Sequence, residues 1–284
     1  MIREYYALTK PGIIYGNLIT AAGGFFLAAH GSVDPALLFS TISGLGTIIA
    51  SSCVLNNYYD RDIDKHMERT KRRALVVGTI PLLRSLLFAT TLFIVGVSVL
   101  LFGSSSSALS AALFGFMVYL FFYTPLKRKT VHSTLVGAFA GAMPPVVGYL
   151  AVHPGLDATS ILLFIILLTW QMPHFYSIAL NRISEYEKAS IPVWPLVHGE
   201  KSTRMHILVY VLLFLCSSLS LFAIGQTGII YAVVMSILGA SWFVYGALGL
   251  NYATTAWAKK MFFFSLVILL IFSLLISLDT FLRF

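Results

Sequence analysis

The chain has 284 residues, is 58% hydrophobic and 11% charged, and has a mean hydropathy of +0.87. Those values exclude a water-soluble globular domain, which needs about a quarter of its residues charged, and leave an all-α, polytopic membrane protein. The net charge of +8 would point to nucleic acid in a soluble chain; in a membrane chain it bears first on orientation, and no nucleic-acid partner is expected.

In chain order, MIREYYALTKPG carries Glu4 and Lys10, and the apolar run after it lacks an A-x-A-like exit, so no cleavable signal is expected. Nine runs then approach the ~20 residues that cross ~30 Å of hydrocarbon: 12–30, 36–57, 83–102, 107–123, 133–151, 159–180, 206–224, 228–249 and 261–279. The expectation is one integral membrane domain over 1–284, a nine-helix bundle with long polar loops at 58–82 and 181–205. Small residues such as Ala21 to Gly24 and Gly137 to Ala142 let helices approach closely in lipid. Asn17, a polar residue that lipid penalises, should face the bundle interior. Cys53 and Cys216 stand alone in apolar runs, without metal or redox spacing, and read as packing residues.

The connections alternate in charge. The N-terminus, the 58–82 loop with Arg84 at its edge, the 124–132 loop, the 181–205 loop and Lys259-Lys260 hold every Lys and Arg except Arg283. By the positive-inside rule those connections are cytoplasmic and the C-terminus is outside, which suits an odd helix count. The two long loops follow the second and sixth runs, a spacing that points to two related helical units plus a last helix.

The densest chemistry is NNYYDRDIDKHMERTKRR, Asn56 to Arg73. Asn56, Asp60 and Asp64 step by four, so on a continuing helix they fall within about 80° of one face. Lys65, Arg69, Lys71, Arg72 and Arg73 follow immediately. Two readings are open. The stretch is either a solvated loop whose carboxylates pair with nearby bases, or a site where oxygen ligands hold Mg²⁺ while Arg and Lys take phosphate oxygens. Lys65, Arg69, Arg73, Lys127 and Arg128 are the diphosphate candidates, because they flank the stripe or lie on a loop at the same end. Lys188, Lys201, Arg204, Lys259 and Lys260 suit topology and anionic lipid. Asp62 and Glu68 should pair with neighbouring bases.

A second polar series enters the other long loop through WQMPHFYSIALNRISEYEK, where His174, Asn181 and Glu185 keep within about 40° of one helical face. Pro173 should loosen that helix, which membranes tolerate when neighbours satisfy the freed carbonyl. Among seven histidines, His174 is singled out because it shares this face.

N-x-x-x-D-x-x-x-D at Asn56, Asp60 and Asp64 resembles the first aspartate-rich motif of the UbiA-type intramembrane prenyltransferases, and N-x-x-x-E at Asn181 and Glu185 resembles a divergent second motif, usually D-x-x-x-D. Within that superfamily, LTKPG at Leu8, NNYYDRDIDKHMERT at Asn56, GAMPPVVGY at Gly141, WQMPHFYSIAL at Trp170 and WAKKMFFFS at Trp257 resemble the protoheme IX farnesyltransferase branch over residues 8–279. Ala74 departs from it, standing where proline is frequent after R-T-x-x-R.

The resemblance implies a nine-helix bundle of the bacterial inner membrane, open toward the cytoplasm, that joins farnesyl diphosphate to a haem B vinyl group and adds water, giving haem O for haem-copper oxidases. It implies Mg²⁺ held by Asn56, Asp60, Asp64, Asn181 and Glu185, with Asn56, Asp60, Asp64 and Glu185 as the catalytic set. His174 and Asn181 are then candidates for haem contact, and a haem-copper oxidase or haem A synthase for hand-off of the product. The alternatives are a UbiA-type enzyme with an aromatic acceptor such as 4-hydroxybenzoate, and a transporter. Against the transporter, ionisable groups cluster at one end of the spans with few at mid-membrane.

Overall fold

The structure, a computed structural model, describes residues 2–251 and 253–282; Arg283 lies outside them. Among the described residues nine helices are long and apolar enough to cross a membrane: α1 Pro11–Ala29, α2 Pro35–Asp64, α3 Leu82–Gly103, α4 Ser106–Leu126, α5 Ser133–Val152, α6 Ala158–Asn181, α7 Trp194–Ala223, α8 Ile229–Leu248 and α9 Thr254–Asp279. Short helices Ile2–Leu8, Ala74–Val77 and Ile183–Lys188 sit in the connections, and no strand occurs among the described residues.

Three helices differ from the expected bounds. α2 runs to Asp64 instead of 57, α7 runs from Trp194, with a break at Gly199, instead of from 206, and α9 begins at Thr254 instead of 261. Hydropathy marks the lipid-embedded part of a helix only. Polar turns beyond it stay helical because their backbone bonds remain within the helix and their side chains find partners.

α2 sets the architecture. The Asp34 carboxylate accepts from the backbone N–H groups of Ala36 (2.9 Å) and Leu37 (3.2 Å), a cap that contributes about 1 kcal/mol, and Pro35 occupies the first turn where its missing N–H is harmless. Thirty residues in one helix span about 45 Å, some 15 Å more than the hydrocarbon slab. The last turns, which carry Asn56 to Asp64, therefore emerge at headgroup level.

α2 packs on α3, α1 on α5, and α6 on both α7 and α9. α1 and α5 meet backbone to backbone: a Cβ at Gly24 would lie 2.0 Å from Pro145 O, and one at Gly148 would lie 1.8 Å from Ala21 O, so only glycine permits this contact. Phe25, Ile48, Leu163, Ile166, Trp242 and Trp257 are fully buried between the layers. Cys53 is buried, whereas Cys216 is exposed on the bundle surface, so the packing reading fails for the second cysteine.

Two irregularities shape the charged end. α4 widens to π geometry over Val118–Tyr123. α6, capped by Asp157 and Ser160 in a capping box, continues through Pro173 and ends where Arg182 leaves helical geometry (φ −127°, ψ 27°).

Candidate active site

The last turns of α2 bring Asn56, Asp60 and Asp64 into the protein, with 2%, 3% and 4% of their surface exposed. Each has a base of its own. Lys10 Nζ donates to Asn56 Oδ1 (2.6 Å), Lys127 Nζ donates to Asp60 Oδ2, and Arg73 Nη1 donates to Asp64 Oδ2 (2.7 Å). These bases come from three segments: the residue before α1, the turn after α4 and the loop after α2.

Neutral hydrogen bonds hold the frame. Asn56 Nδ2 donates to Thr124 Oγ1 (3.1 Å), which itself donates to Tyr119 O in the π turn (2.9 Å). Asn57 Nδ2 donates to Leu8 O (2.8 Å), tying down the N-terminal helix. Thr70 Oγ1 donates to Asp64 O (2.9 Å) and folds the loop back so that Arg73 reaches Asp64.

The site carries more buried positive charge than it neutralises. Burial pushes the Lys10 ammonium down to about 8 and pushes Lys127 down against the pull of Asp60. Arg69 is lowered by burial and then by the neighbouring Arg73 and Arg182 guanidiniums. A polyanion entering this well would raise these pKa values again and so favour the charged form of each base.

The second polar series does not form as one face. α6 ends at Asn181, which is half-buried, and Glu185 sits on the separate helix Ile183–Lys188, with Oε1 3.8 Å from Arg182 Nη1. His174 turns into the α6–α9 seam: Nδ1 shares a hydrogen bond with Ser265 Oγ (2.8 Å), and its ring lies between Trp170 and Phe262, each at 4.9 Å. The helix break at Arg182 separates Glu185 from Asn181. Lys65, expected at the diphosphate, is exposed at the end of α2. Arg128 is clamped on Asp62 by two hydrogen bonds (2.6 and 2.7 Å), which raise its pKa, and comes no nearer to Asp60 than 3.9 Å. Asp62 and Glu68 do pair with bases, Glu68 with Lys71 at 2.6 Å.

Among the described residues no three His, Cys, Asp or Glu side chains form a ready chelate. The donors at the charged end still fit a hard divalent cation. They are amide and carboxylate oxygens, and two of them, Asp60 Oδ1 and Glu185 Oε2, are buried without a hydrogen bond.

Below the charged well, a cleft opens between α1, α2, α4 and α5, lined largely by apolar side chains such as Ile13, Leu45, Ile48, Phe116 and Met143. Its α2 wall, Leu45 to Cys53, lies one to three turns before Asn56 on the same helix, so charged head and apolar slot are collinear over roughly 16 Å. Asn17 faces this cleft, its amide held by Ile13 O (2.7 Å), as expected of a polar residue in the first span.

Lys10, Tyr123, Thr124 and Arg182 were not singled out from the sequence. Lys10 had a signal: it directly precedes the Pro11 that opens α1. So had Tyr123, four residues before Lys127, whose Nζ lies 5.7 Å from its ring centre.

Residues 17–267 match the UbiA prenyltransferase family. The chain is 45% identical to the protoheme IX farnesyltransferases of Chromohalobacter salexigens and Protochlamydia amoebophila, over 98% of its own length and 95% and 99% of theirs. The chain belongs to the UbiA prenyltransferase family, in its protoheme IX farnesyltransferase branch. The UbiA fold is equally evident in space. A solved digeranylgeranylglyceryl phosphate synthase superposes with a TM-score of 0.82 at 19% identity, covering 98% of each chain. A UbiA homologue from Archaeoglobus fulgidus bound to GPP and Mg²⁺ superposes with 0.71 at 14% identity, covering 96% of this chain and 99% of that one.

Proposed function

We propose that this UbiA-family chain joins the farnesyl group of farnesyl diphosphate to a vinyl group of haem B, with addition of water, giving haem O and diphosphate. The observation that carries the reading is the collinear pairing of a base-ringed, oxygen-rich stripe with an apolar cleft on one helix. Farnesyl diphosphate has the matching shape, a polyanionic head on a 15-carbon apolar tail.

The tail lies along the Leu45 to Cys53 wall, and the head lies at Asn56, Asp60 and Asp64. Mg²⁺, when held by Asn56, Asp60, Asp64 and Glu185 with Asn181 nearby, supplies positive charge against the departing diphosphate. Lys10, Arg73 and Lys127 turn from their present partners to diphosphate oxygens, and Arg69 adds a further donor. Because these bases are already in place, little reorganisation accompanies the growth of negative charge on the leaving group. The C–O bond breaks with its electron pair leaving on diphosphate. The allylic cation so formed is kept from water by the apolar cleft. The haem vinyl group supplies the electrons for the new C–C bond, and water captures the resulting cation and loses a proton.

The positive-inside pattern puts this end of the bundle, and the N-terminus, at the cytoplasmic face of a bacterial inner membrane, with the C-terminus outside. Haem O would pass from there to a haem-copper oxidase or a haem A synthase.

Diphosphate release from farnesyl diphosphate by the purified chain, with and without haem B, tests the reading. Haem-dependent release with formation of haem O is expected. Release that requires an aromatic acceptor such as 4-hydroxybenzoate would overturn the acceptor, and no release under any condition would overturn the enzyme.

A further inference from the structure

A second group of side chains at the same end of the bundle has no part in holding diphosphate. α7 opens with a single turn, Trp194 to His198, and then bends at Gly199, whose φ of +79° lies where glycine alone sits without strain. The bend folds the turn back on the helix, and Trp194 Nε1 donates to Ser202 Oγ (3.2 Å). Two imidazoles then lie against the indole: His198 at 4.0 Å and 17°, and His206 at 4.4 Å and 34°. A third, His132, meets it edge-on at 6.0 Å from the turn that follows Lys127 to Lys129.

Three features define what this cluster takes. It is accessible, since His198, His132 and the neighbouring Val197 are exposed. No three ligating side chains converge among the described residues, so a bare cation finds no cage, whereas a porphyrin iron brings four equatorial nitrogens and needs only one or two axial imidazoles. Val197, exposed beside His198, offers an apolar contact to a planar ring, and Lys129, exposed on the adjoining turn, can meet acidic groups on the ring's edge. The cluster also borders the reaction centre. Ile191 and Val193, just before Trp194, pack with Met67 and Tyr186, beside Glu185 and Arg69.

We propose that His198, backed by Trp194 and His206, is the docking point for the haem substrate, with His198 as axial ligand to the iron. The inference rests on the reading of the chain as a haem farnesyltransferase, and it places the acceptor at the α7 turn instead of at His174, whose Nδ1 is already engaged in the α6–α9 seam.

The test is titration of the full chain, purified in lipid nanodiscs, with ferric haem B, followed by Soret absorption and electron paramagnetic resonance. The parent should show a histidine-ligated spectrum. His198→Gly should lose it and bind haem at least tenfold more weakly, imidazole added to that variant should restore it, and farnesyl diphosphate affinity should stay within about twofold of the parent. His198→Gln, which keeps the side-chain volume, reads the same way if the glycine variant is unstable. His174→Ala should retain the parent spectrum. An unchanged spectrum and affinity in His198→Gln and in His198→Gln/His206→Gln would overturn the docking site. That outcome is separable from failure of the reaction itself, which shows as no haem-dependent diphosphate release by the parent.

Discussion

The two polar series at the charged end look alike as letters and differ as structures. The first lies on one unbroken helix, so Asn56, Asp60 and Asp64 share a face, are nearly inaccessible, and each holds a base brought from elsewhere. The second is cut at Arg182, so Asn181 closes a membrane helix and Glu185 starts again on a short one; His174, two turns earlier on the first of these helices, is bound to Ser265 in the α6–α9 seam. A stripe acts as one unit only where the backbone beneath it is continuous. In the proposed reaction the first series would be the principal site, and the second would contribute Glu185 across a joint.

The largest effect that sharpens this contrast is loss of an α2 carboxylate. Asp60→Ala or Asp64→Ala should lower diphosphate release at least 10²–10³-fold, the scale of removing a preorganised electrostatic group, while Glu185→Ala should lower it about tenfold in the same assay. Equal losses would erase the distinction. Next comes Lys10→Met, which removes one charge-assisted contact of about 1.5–3 kcal/mol and should raise the KM for farnesyl diphosphate about tenfold or more with haem affinity unchanged. His174→Ala should cost roughly 1–3 kcal/mol of stability by emptying a packed seam, seen in thermal unfolding, with kcat close to the parent. Arg128→Ala should be smallest, below about 1 kcal/mol, because its pair with Asp62 is largely exposed and water screens it; a large drop in activity there would place Arg128 on the diphosphate after all.

What the sequence disclosed follows the range of the interactions. Apolar runs and a step of four are local patterns, so the spans and the Asn56, Asp60, Asp64 face were legible before any coordinates. The partners were not. Lys10 reaches Asn56 across 46 residues and Lys127 reaches Asp60 across 67, separations on which periodicity is silent. The break at Arg182 was also hidden, since neither glycine nor proline marks it and Arg182 simply adopts a non-helical ψ. The fold-back that gathers Trp194, His198 and His206 depends on the sign of one φ at Gly199, and a hydropathy reading had placed that turn inside a loop.

Binding of a farnesyl thiodiphosphate that resists cleavage, measured in nanodiscs with and without Mg²⁺, tests the central claim most directly. The parent should bind at least tenfold more tightly with Mg²⁺, and Asp60→Asn should show no Mg²⁺ effect while remaining folded. If Mg²⁺ tightens binding equally in both proteins, or in neither, the α2 stripe is not where the diphosphate is held.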